Sequence, residues 1–597
     1  MQAAVSEGMS SAVQTIPDLL RMRSHEIPDS VALIQSDLAS LTYGGALQRS
    51  RNFAFGLHAL NVEPGDFIGL VFSNGNYLDF AAAYFGTQLA GCTPVIAPAS
   101  RSLNTLMLLD QVDPVLTIYG NAREAEFLGH RIHKAEFVSA VEELGSRATN
   151  TNLPSSDEDR IAHVVFTTGT TGTRRAVWAT HRNLLGAMEI HGTTKAVGRT
   201  DGEVLIGSFP IGTNAALAML MNCLREQATI VCMDEFQPEA FCETARNLAC
   251  TGAVLTPTMA QSLSQLDVSV LDLPRLNFIG LSGSATPAPV IDWLAGVLPS
   301  AELKTFYSCT EAWPSGMNST FDSSAPQVLG PRNGNVRVVD ERGVSVADGV
   351  SGEIELRVGE GRGWCDLDVS ETSFEVSKKP VWVSTGDVGY IDDSGSVVLI
   401  DRRSRILKCG AMKISAAEIE AALLRHPAVS DAVCIGVPHP TLGSQVAVAF
   451  VIDHDVAAVE VLKRELRADL AAGYSDVLLQ MRIIEFSEIP LLPEGKIDYR
   501  YVEDTVVNGR PAYERPHEVE RPIADIWRRA LGREDIGRHD DFFDLGGDSL
   551  TALKVNRSVS ELLKSDIPVT CIYEARTLAE FSKFVLGDTE AYPVGGV

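Results

Sequence analysis

At 597 residues the chain is too long for one hydrophobic core, so three to four structural units are expected. A net charge of −27 with no basic patch argues against nucleic acid and anionic membranes as partners, and the acidity reads as ordinary solubility. With 45% hydrophobic and 21% charged residues the composition is that of a soluble globular protein, and no apolar run reaches the length of a membrane span.

The opening residues, Met1-Gln-Ala-Ala-Val-Ser-Glu-Gly, lack a basic stretch followed by an apolar one, so no secretory signal is expected. Residues 1–402 alternate helical patterns with short β-branched runs, among them Phe67–Phe72, Val164–Phe166, Thr229–Cys232 and Ala253–Leu255. That alternation predicts an α/β region of layered subdomains with largely parallel sheets. Residues 403–506 change texture to a small α+β subdomain, with a helix over 416–425 and strands at 432–436 and 446–452. A polar stretch with Gly509, Pro511 and Pro516 marks 507–517 as a linker. Residues 518–587 read as a small all-α, four-helix domain, and 588–597 as a tail. The ten cysteines are scattered, without a Cys-x-x-Cys or a nearby His at ligand spacing. They predict reduced thiols in a cytoplasmic protein, not disulfides or zinc.

Two strings carry the chemistry. The first, Val164-Val-Phe-Thr-Thr-Gly-Thr-Thr-Gly-Thr-Arg-Arg-Ala176, is a strand running into a loop rich in threonine and glycine. Its glycines let backbone amides turn toward one point and its hydroxyls add donors, which suits phosphate oxygens; taken alone it also reads as a surface turn. The second, Asp541-Phe-Phe-Asp-Leu-Gly-Gly-Asp-Ser-Leu550, sets Ser549 at the start of a helical run. A Gly-Asp-Ser-Leu string also heads a family of serine esterases, but such a serine needs a histidine base. No histidine follows Ser549.

The 519–586 segment closely resembles peptidyl and acyl carrier proteins, which implies a covalent 4'-phosphopantetheine arm on Ser549 and a phosphopantetheinyl transferase as partner. Residues 15–505 resemble adenylate-forming enzymes: acyl-CoA and aryl-CoA ligases and the adenylation domains of nonribosomal peptide synthetases. The resemblance rests on motifs in that superfamily's order. After the threonine loop come Phe306-Tyr-Ser-Cys-Thr-Glu311, Ser351-Gly-Glu-Ile-Glu-Leu356, Ser384-Thr-Gly-Asp-Val-Gly-Tyr390, Asp401-Arg402, Lys408-Cys-Gly410, Glu418-Ile-Glu420 and Pro490-Leu-Leu-Pro-Glu-Gly-Lys496.

The resemblance implies ATP and Mg²⁺ as cofactors and a role for each matching residue. Thr167, Thr168, Gly169, Thr170, Thr171 and Gly172 would wrap phosphates, Tyr307 would stack on adenine, and Asp387 and Arg402 would reach the ribose. Glu311 would hold the metal, Thr310 would approach the α-phosphate, and Lys496 would bridge the carboxylate nucleophile and that phosphate. The small subdomain would swing on a hinge near Ser404 and present the loop at Gly410 for thioester formation. Asn214, Gly280, Ser282, Phe306 and Pro314 would line the acid pocket.

Residues 205–218 contain no carboxylate to meet a substrate ammonium, and Asn214 stands about where aryl-acid activators carry asparagine. An aryl or aliphatic carboxylic acid is therefore expected, with an α-amino acid, a coenzyme A ligase or a silent carrier scaffold as alternatives. Departures from the pattern are Arg174, Arg175 and Ala176 in the phosphate loop, Ser308 for a glycine, Asp401 before Arg402, and Ser404 at the hinge. No condensation, reductase or thioesterase segment fits the remaining length, so downstream enzymes are expected to act on the carrier in trans.

Overall fold

The structure, a computed structural model, describes residues 13–99, 105–121, 135–148, 152–167, 175–190, 202–266, 271–283, 286, 288–313, 315–322, 325, 327–366, 374, 381–410, 412–439, 443–452, 459–473, 476–486, 488–490, 497–508, 520–533, 536–565, 567–568 and 570–586. It divides into two compact units, Met1–Leu399 and Ile400–Val597.

The first unit holds two large sheets. In the eight-stranded one the order is Met317–Thr320, Glu302–Tyr307, Phe278–Ser282, Gly252–Leu255, Val204–Gly207, Thr229–Cys232, Val31–Gln35 and Ser40–Thr42. Its six inner strands run parallel and each edge strand is antiparallel to its neighbour. The seven-stranded sheet runs Arg362–Asp366, Arg175–Thr180, Ile161–Phe166, Thr93–Pro98, Phe67–Phe72, Leu116–Tyr119 and Ala135–Phe137. All four strands expected from the β-branched runs are present.

Helix Tyr77–Leu89 touches strands of both sheets. Its sequence is apolar on every side, as a helix enclosed between two layers requires, and all but two of its residues are buried to the core. Each large side chain so enclosed contributes about 1.5–3 kcal/mol. Its polar tips are satisfied: the Tyr77 hydroxyl donates to Ala216 O at 2.9 Å, and Tyr84 shares a hydrogen bond with His163 Nδ1 at 3.0 Å.

A third, five-stranded sheet departs from the expected parallel pattern. Antiparallel pairings join Val336–Val339 to Gly352–Val358, Gly352–Val358 to Val381–Ile391, and Val328–Pro331 to Ser396–Arg402. Turn 392–395 accounts for this: Asp392 Oδ1 accepts from Ser394 N and Ser396 N, both at 2.9 Å. So short a connection reverses the chain and leaves no room for a parallel crossover.

The second unit begins with the expected α+β texture. Strands Met412–Ser415, Ile406–Cys409, Gly443–Ile452 and Val429–His439 form a sheet that Arg482–Glu485 extends in parallel. Helices Ala416–Leu423, Val459–Gly473 and Tyr499–Asn508 belong to the same part of the chain. Four further helices follow, Arg521–Leu531, Ser549–Leu563, Cys571–Glu574 and Leu578–Leu586. They enclose Trp527, whose ring lies 5.0 Å from Phe542 and 5.9 Å from Phe581. Among the described residues no helix is long and apolar enough to cross a membrane.

Candidate functional site

Parallel strands place their carboxyl ends on one edge of a sheet, where open α/β sheets bind ligands. On that edge of the eight-stranded sheet lie Asn214, beyond strand Val204–Gly207, Ser282, ending Phe278–Ser282, and the 307–311 motif, beyond Glu302–Tyr307. Ser282 is in register with Phe306, and Gly280 lies two residues back on the same face. A Cβ on Gly280 would sit 2.9 Å from Phe306 Cε2, so the glycine makes room for that ring. Asn214 opens the helix Asn214–Glu226, capped by Thr213, and its Oδ1 is buried without a hydrogen-bond partner. Pro314, expected in the same pocket, lies outside the described residues.

Tyr307 and Asp387 come from different sheets and meet: the phenol donates to Asp387 Oδ2 at 2.6 Å. Burial first, then the Asp387 charge, holds the Tyr307 hydroxyl far above the usual phenol range, so it remains a donor. Asp387 N donates to Thr385 Oγ1 at 3.1 Å, which orients the turn carrying the carboxylate. Ser308 stands where the pattern has glycine, and its exposed side chain does not crowd the site. Its hydroxyl donates to Ser315 O at 2.6 Å and staples the 308–315 loop.

Thr167 and Arg175 close the base of the threonine loop: Arg175 N donates to Thr167 Oγ1 at 3.0 Å and Thr167 N to Arg175 O at 2.9 Å. Thr168, Gly169, Thr170, Thr171, Gly172 and Arg174 lie outside the described residues. Arg175 opens a strand and reaches two carboxylates, Glu311 Oε1 at 3.0 Å and Asp366 Oδ1 at 2.8 Å. Its charge thereby ties the loop exit to the Glu311 motif.

Sequence reasoning missed Arg362. It is wholly buried, faces no carboxylate within ion-pair distance among the described residues, and donates through Nε (3.1 Å) and Nη2 to the carbonyl of Thr310. Burial draws its guanidinium down to about 10. The only signal in the sequence is a charged residue between two glycines, Gly361 and Gly363, in a β-like run. Beside it, burial pushes the Cys309 thiol up to about 12. All ten cysteines are free thiols.

In the second unit Asp401, which replaces the usual glycine, has a structural task. Its Oδ2 accepts from Ser415 Oγ at 2.9 Å and Ala417 N at 2.8 Å, capping helix Ala416–Leu423. Arg402 is exposed, Ser404 lies in the turn Arg403–Arg405, and Gly410 sits at an exposed hairpin tip with φ of 61°. Glu420 of the Glu-Ile-Glu motif binds Arg405 Nη2 at 2.5 Å. Lys496 lies outside the described residues.

Ser549 is exposed and is the first residue of its helix. Asp548 caps that helix, accepting from Thr551 N at 2.7 Å while donating its own N–H to Thr551 Oγ1 at 2.7 Å. Gly546 takes a φ of 94°, and a Cβ on Gly547 would lie 2.3 Å from the Phe542 ring. The paired glycines thus bring the serine out over the aromatic core.

Comparison with known proteins fixes the family. The profile described as AMP-binding enzyme matches residues 20–360, more than half of the chain. The chain belongs to the AMP-binding enzyme family. Residues 418–496 of this AMP-binding enzyme match the family's C-terminal domain, and 521–585 match the phosphopantetheine attachment site. It thus joins an AMP-binding enzyme to a phosphopantetheine attachment domain in one chain.

Curated relatives include malpinin synthetase of Mortierella alpina, 26% identical over 94% of this chain and 8% of that protein. Phenyloxazoline synthase MbtB of Mycobacterium sp. (strain MCS) is 26% identical over 93% of this chain and 48% of its own length. The enzyme therefore spans less than half of the length of either relative. Among solved structures, McyG A-PCP complexed with phenylalanyl-adenylate shares the fold at a TM-score of 0.69 and 18% identity, over 96% of this chain and 98% of that one. The o-succinylbenzoate CoA synthetase MenE of Bacillus subtilis does so at 0.67 and 20%, over 82% and 99%.

Proposed function

We propose that the chain activates a carboxylic acid lacking the usual α-amino contact and loads it onto its own carrier at Ser549. The observation that carries the reading is the hydrogen bond that brings Tyr307 to Asp387 from different sheets, in a chain that also holds a phosphopantetheine attachment domain. In the first half-reaction the acid's carboxylate oxygen bonds to the α-phosphorus of ATP, the α–β P–O bond breaks, and pyrophosphate leaves.

Asp387, oriented by Tyr307, is the acceptor for the ribose hydroxyls. Thr310 sits at the α-phosphate with its carbonyl held by Arg362. Lys496 stabilises the charge that develops there. The donor set fits Mg²⁺, which is held by one or two carboxylates together with substrate phosphates. Glu311 supplies such a carboxylate, and among the described residues no cluster of three His, Cys, Asp or Glu exists to hold a metal alone. The ion would neutralise phosphate charge.

Ser549 fits a phosphodiester: it is the first residue of a helix, whose N-terminal backbone amides favour an anion. The arm, when attached, supplies the thiol that accepts the acyl group. Tethering makes delivery intramolecular, and Gly410, exposed and without a side chain, suits close passage of a ligand. A cytoplasmic location agrees with ten free thiols.

The unpartnered Asn214 Oδ1 supports an acid that brings a hydrogen-bond donor to the pocket, such as a hydroxylated aryl acid. An amino acid is the second reading, favoured by the peptide synthetases among the relatives. ATP–pyrophosphate exchange across aryl, aliphatic and amino acids decides between them. Exchange with an aryl or aliphatic acid is expected, and silence with every acid overturns activation in favour of a scaffold. Intact-protein mass spectrometry then reads the acyl load on Ser549; no load points to free coenzyme A as acceptor.

A further inference from the structure

Within the second unit the carrier helices pack against the α+β subdomain through a buried polar face centred on Arg467. That arginine is 3% exposed and lies on helix Val459–Gly473. Its Nη2 is 3.3 Å from Asp544 Oδ1 and 3.5 Å from Asp541 Oδ2, the two carboxylates of the acidic approach to Ser549. Arg576 of the carrier completes the cluster, donating from Nε to Asp541 Oδ2 at 2.7 Å and from Nη1 to Leu479 O of the subdomain.

Gln445 Nε2 donates to Gln480 O at 2.6 Å and reaches Phe543 O at 3.4 Å, while Arg482 Nε donates to Gln445 Oε1 at 3.1 Å. The face ends on the serine itself: Gln480 Nε2 donates to Ser549 Oγ at 2.5 Å, and the Tyr573 hydroxyl lies 3.1 Å from the same oxygen. A guanidinium this buried is costly unless paired; Met481 O of the subdomain accepts from its Nε at 3.3 Å, and the carrier supplies both carboxylates. The contact is therefore specific to this carrier's sequence and not a chance apolar touch.

We propose that this face of the α+β subdomain is a dedicated docking site for the chain's own carrier before it is primed, that Gln480 holds the Ser549 hydroxyl within it, and that the carrier must leave the face before a phosphopantetheinyl transferase can act. The inference rests on Ser549 being the attachment residue. Priming joins Ser549 Oγ to the phosphorus of coenzyme A that bears the pantetheine, breaks the pyrophosphate P–O bond, and releases 3',5'-adenosine bisphosphate. The serine proton passes to the transferase's base. Gln480 occupies the approach to that oxygen and its hydrogen bond opposes nucleophilic attack. A docked carrier therefore lowers the priming rate by the fraction of time it spends on the face.

The test uses the full-length chain before priming, a purified phosphopantetheinyl transferase and fluorescent coenzyme A, with the initial rate of labelling as readout. Arg467→Gln and Gln480→Ala alter only the subdomain side, so the carrier surface that the transferase meets is unchanged. Each is expected to be labelled faster than wild type, about tenfold for Arg467→Gln, because removing one partner of a buried charge pair speeds release. Labelling at the wild-type rate or slower in both variants overturns the proposal. Backbone hydrogen exchange at 541–549 is the second measurement: it is expected to rise in both variants, and unchanged protection overturns docking. Ser549→Ala separates the two readings. Wild type that takes no label, or Ser549→Ala that takes as much as wild type, removes the attachment site itself; labelled wild type with unchanged variants removes only the docking face.

Discussion

Arg362 and Arg467 are both almost completely buried, yet they are compensated in opposite ways. Among the described residues Arg362 gives its hydrogen bonds to one backbone carbonyl, Thr310 O, and has no carboxylate within ion-pair distance. Arg467 is flanked by two carboxylates that belong to a carrier joined through a polar linker. The first arrangement can only fix the chain where it stands, since nothing in it can leave without exposing the charge. The second is reversible, because when the carrier departs water replaces its carboxylates. Permanent placement thus sits beside Thr310 and exchangeable placement beside Ser549.

The strongest test of that contrast substitutes each arginine by methionine. Arg362→Met leaves the Thr310 carbonyl without its donors, which is expected to cost about 2–3 kcal/mol in urea unfolding. Displacement of Thr310 and Glu311 should also lower pyrophosphate exchange about 100-fold. Arg467→Met, which alters the face that holds the carrier, should leave exchange within about twofold and change only priming. Equal loss of exchange in both variants would break the comparison. Tyr307→Phe comes next: losing one hydrogen bond to Asp387, worth about 1 kcal/mol, should raise the KM for ATP about fivefold with kcat little changed. A fall in kcat alone would move Tyr307 from binding to the chemical step.

The smallest effect is on pH. Burial, then the Asp541 charge, raises the Asp544 carboxyl to about 7, against the attraction of Arg467, Arg576 and Lys463. Docked Asp544 therefore binds its proton more tightly than a free carboxylate. Its contribution to docking is full at low pH and is lost as pH rises through about 7. Asp541, held down to about 2 chiefly by Arg576 and Arg467 against its burial, does not titrate in this window. His439, lowered by burial, disfavours docking only as pH falls below its ordinary value of about 6.5. The ratio of the wild-type priming rate to that of Asp544→Asn should thus climb as pH rises from about 5 to about 7 and level off above that. A ratio that does not vary with pH would remove Asp544 from the docking equilibrium.

Much of the site was legible because its chemistry is local in sequence. Phe306 to Glu311 and Ser384 to Tyr390 are short strings whose order carried the resemblance, and Ser549 was placed at the start of a helical run, which the structure shows. The antiparallel third sheet was not read, since β-branched runs look alike whichever way they pair; only the 392–395 turn distinguishes them. Arg362 escaped because a lone arginine carries no periodicity. The docking face escaped for a different reason: Arg467 and Asp544 are 77 residues apart, and an arginine beside Leu466 and Leu470 on an amphipathic helix reads as the solvated rim. The role of Asp401 was likewise invisible, because its partners Ser415 and Ala417 belong to the next hairpin and helix.

Cys309, one residue before Thr310, bears on chemoselectivity. An acyl-adenylate is a strong electrophile, and if it forms beside Thr310 as proposed, a thiolate at Cys309 would capture the acyl group on the wrong sulfur. Burial keeps that thiol at about 12, so at neutral pH about one molecule in a hundred thousand carries the reactive anion. On the proposed reading, a thiol held in its neutral form at that position would not compete with the arm on Ser549 for the acyl group.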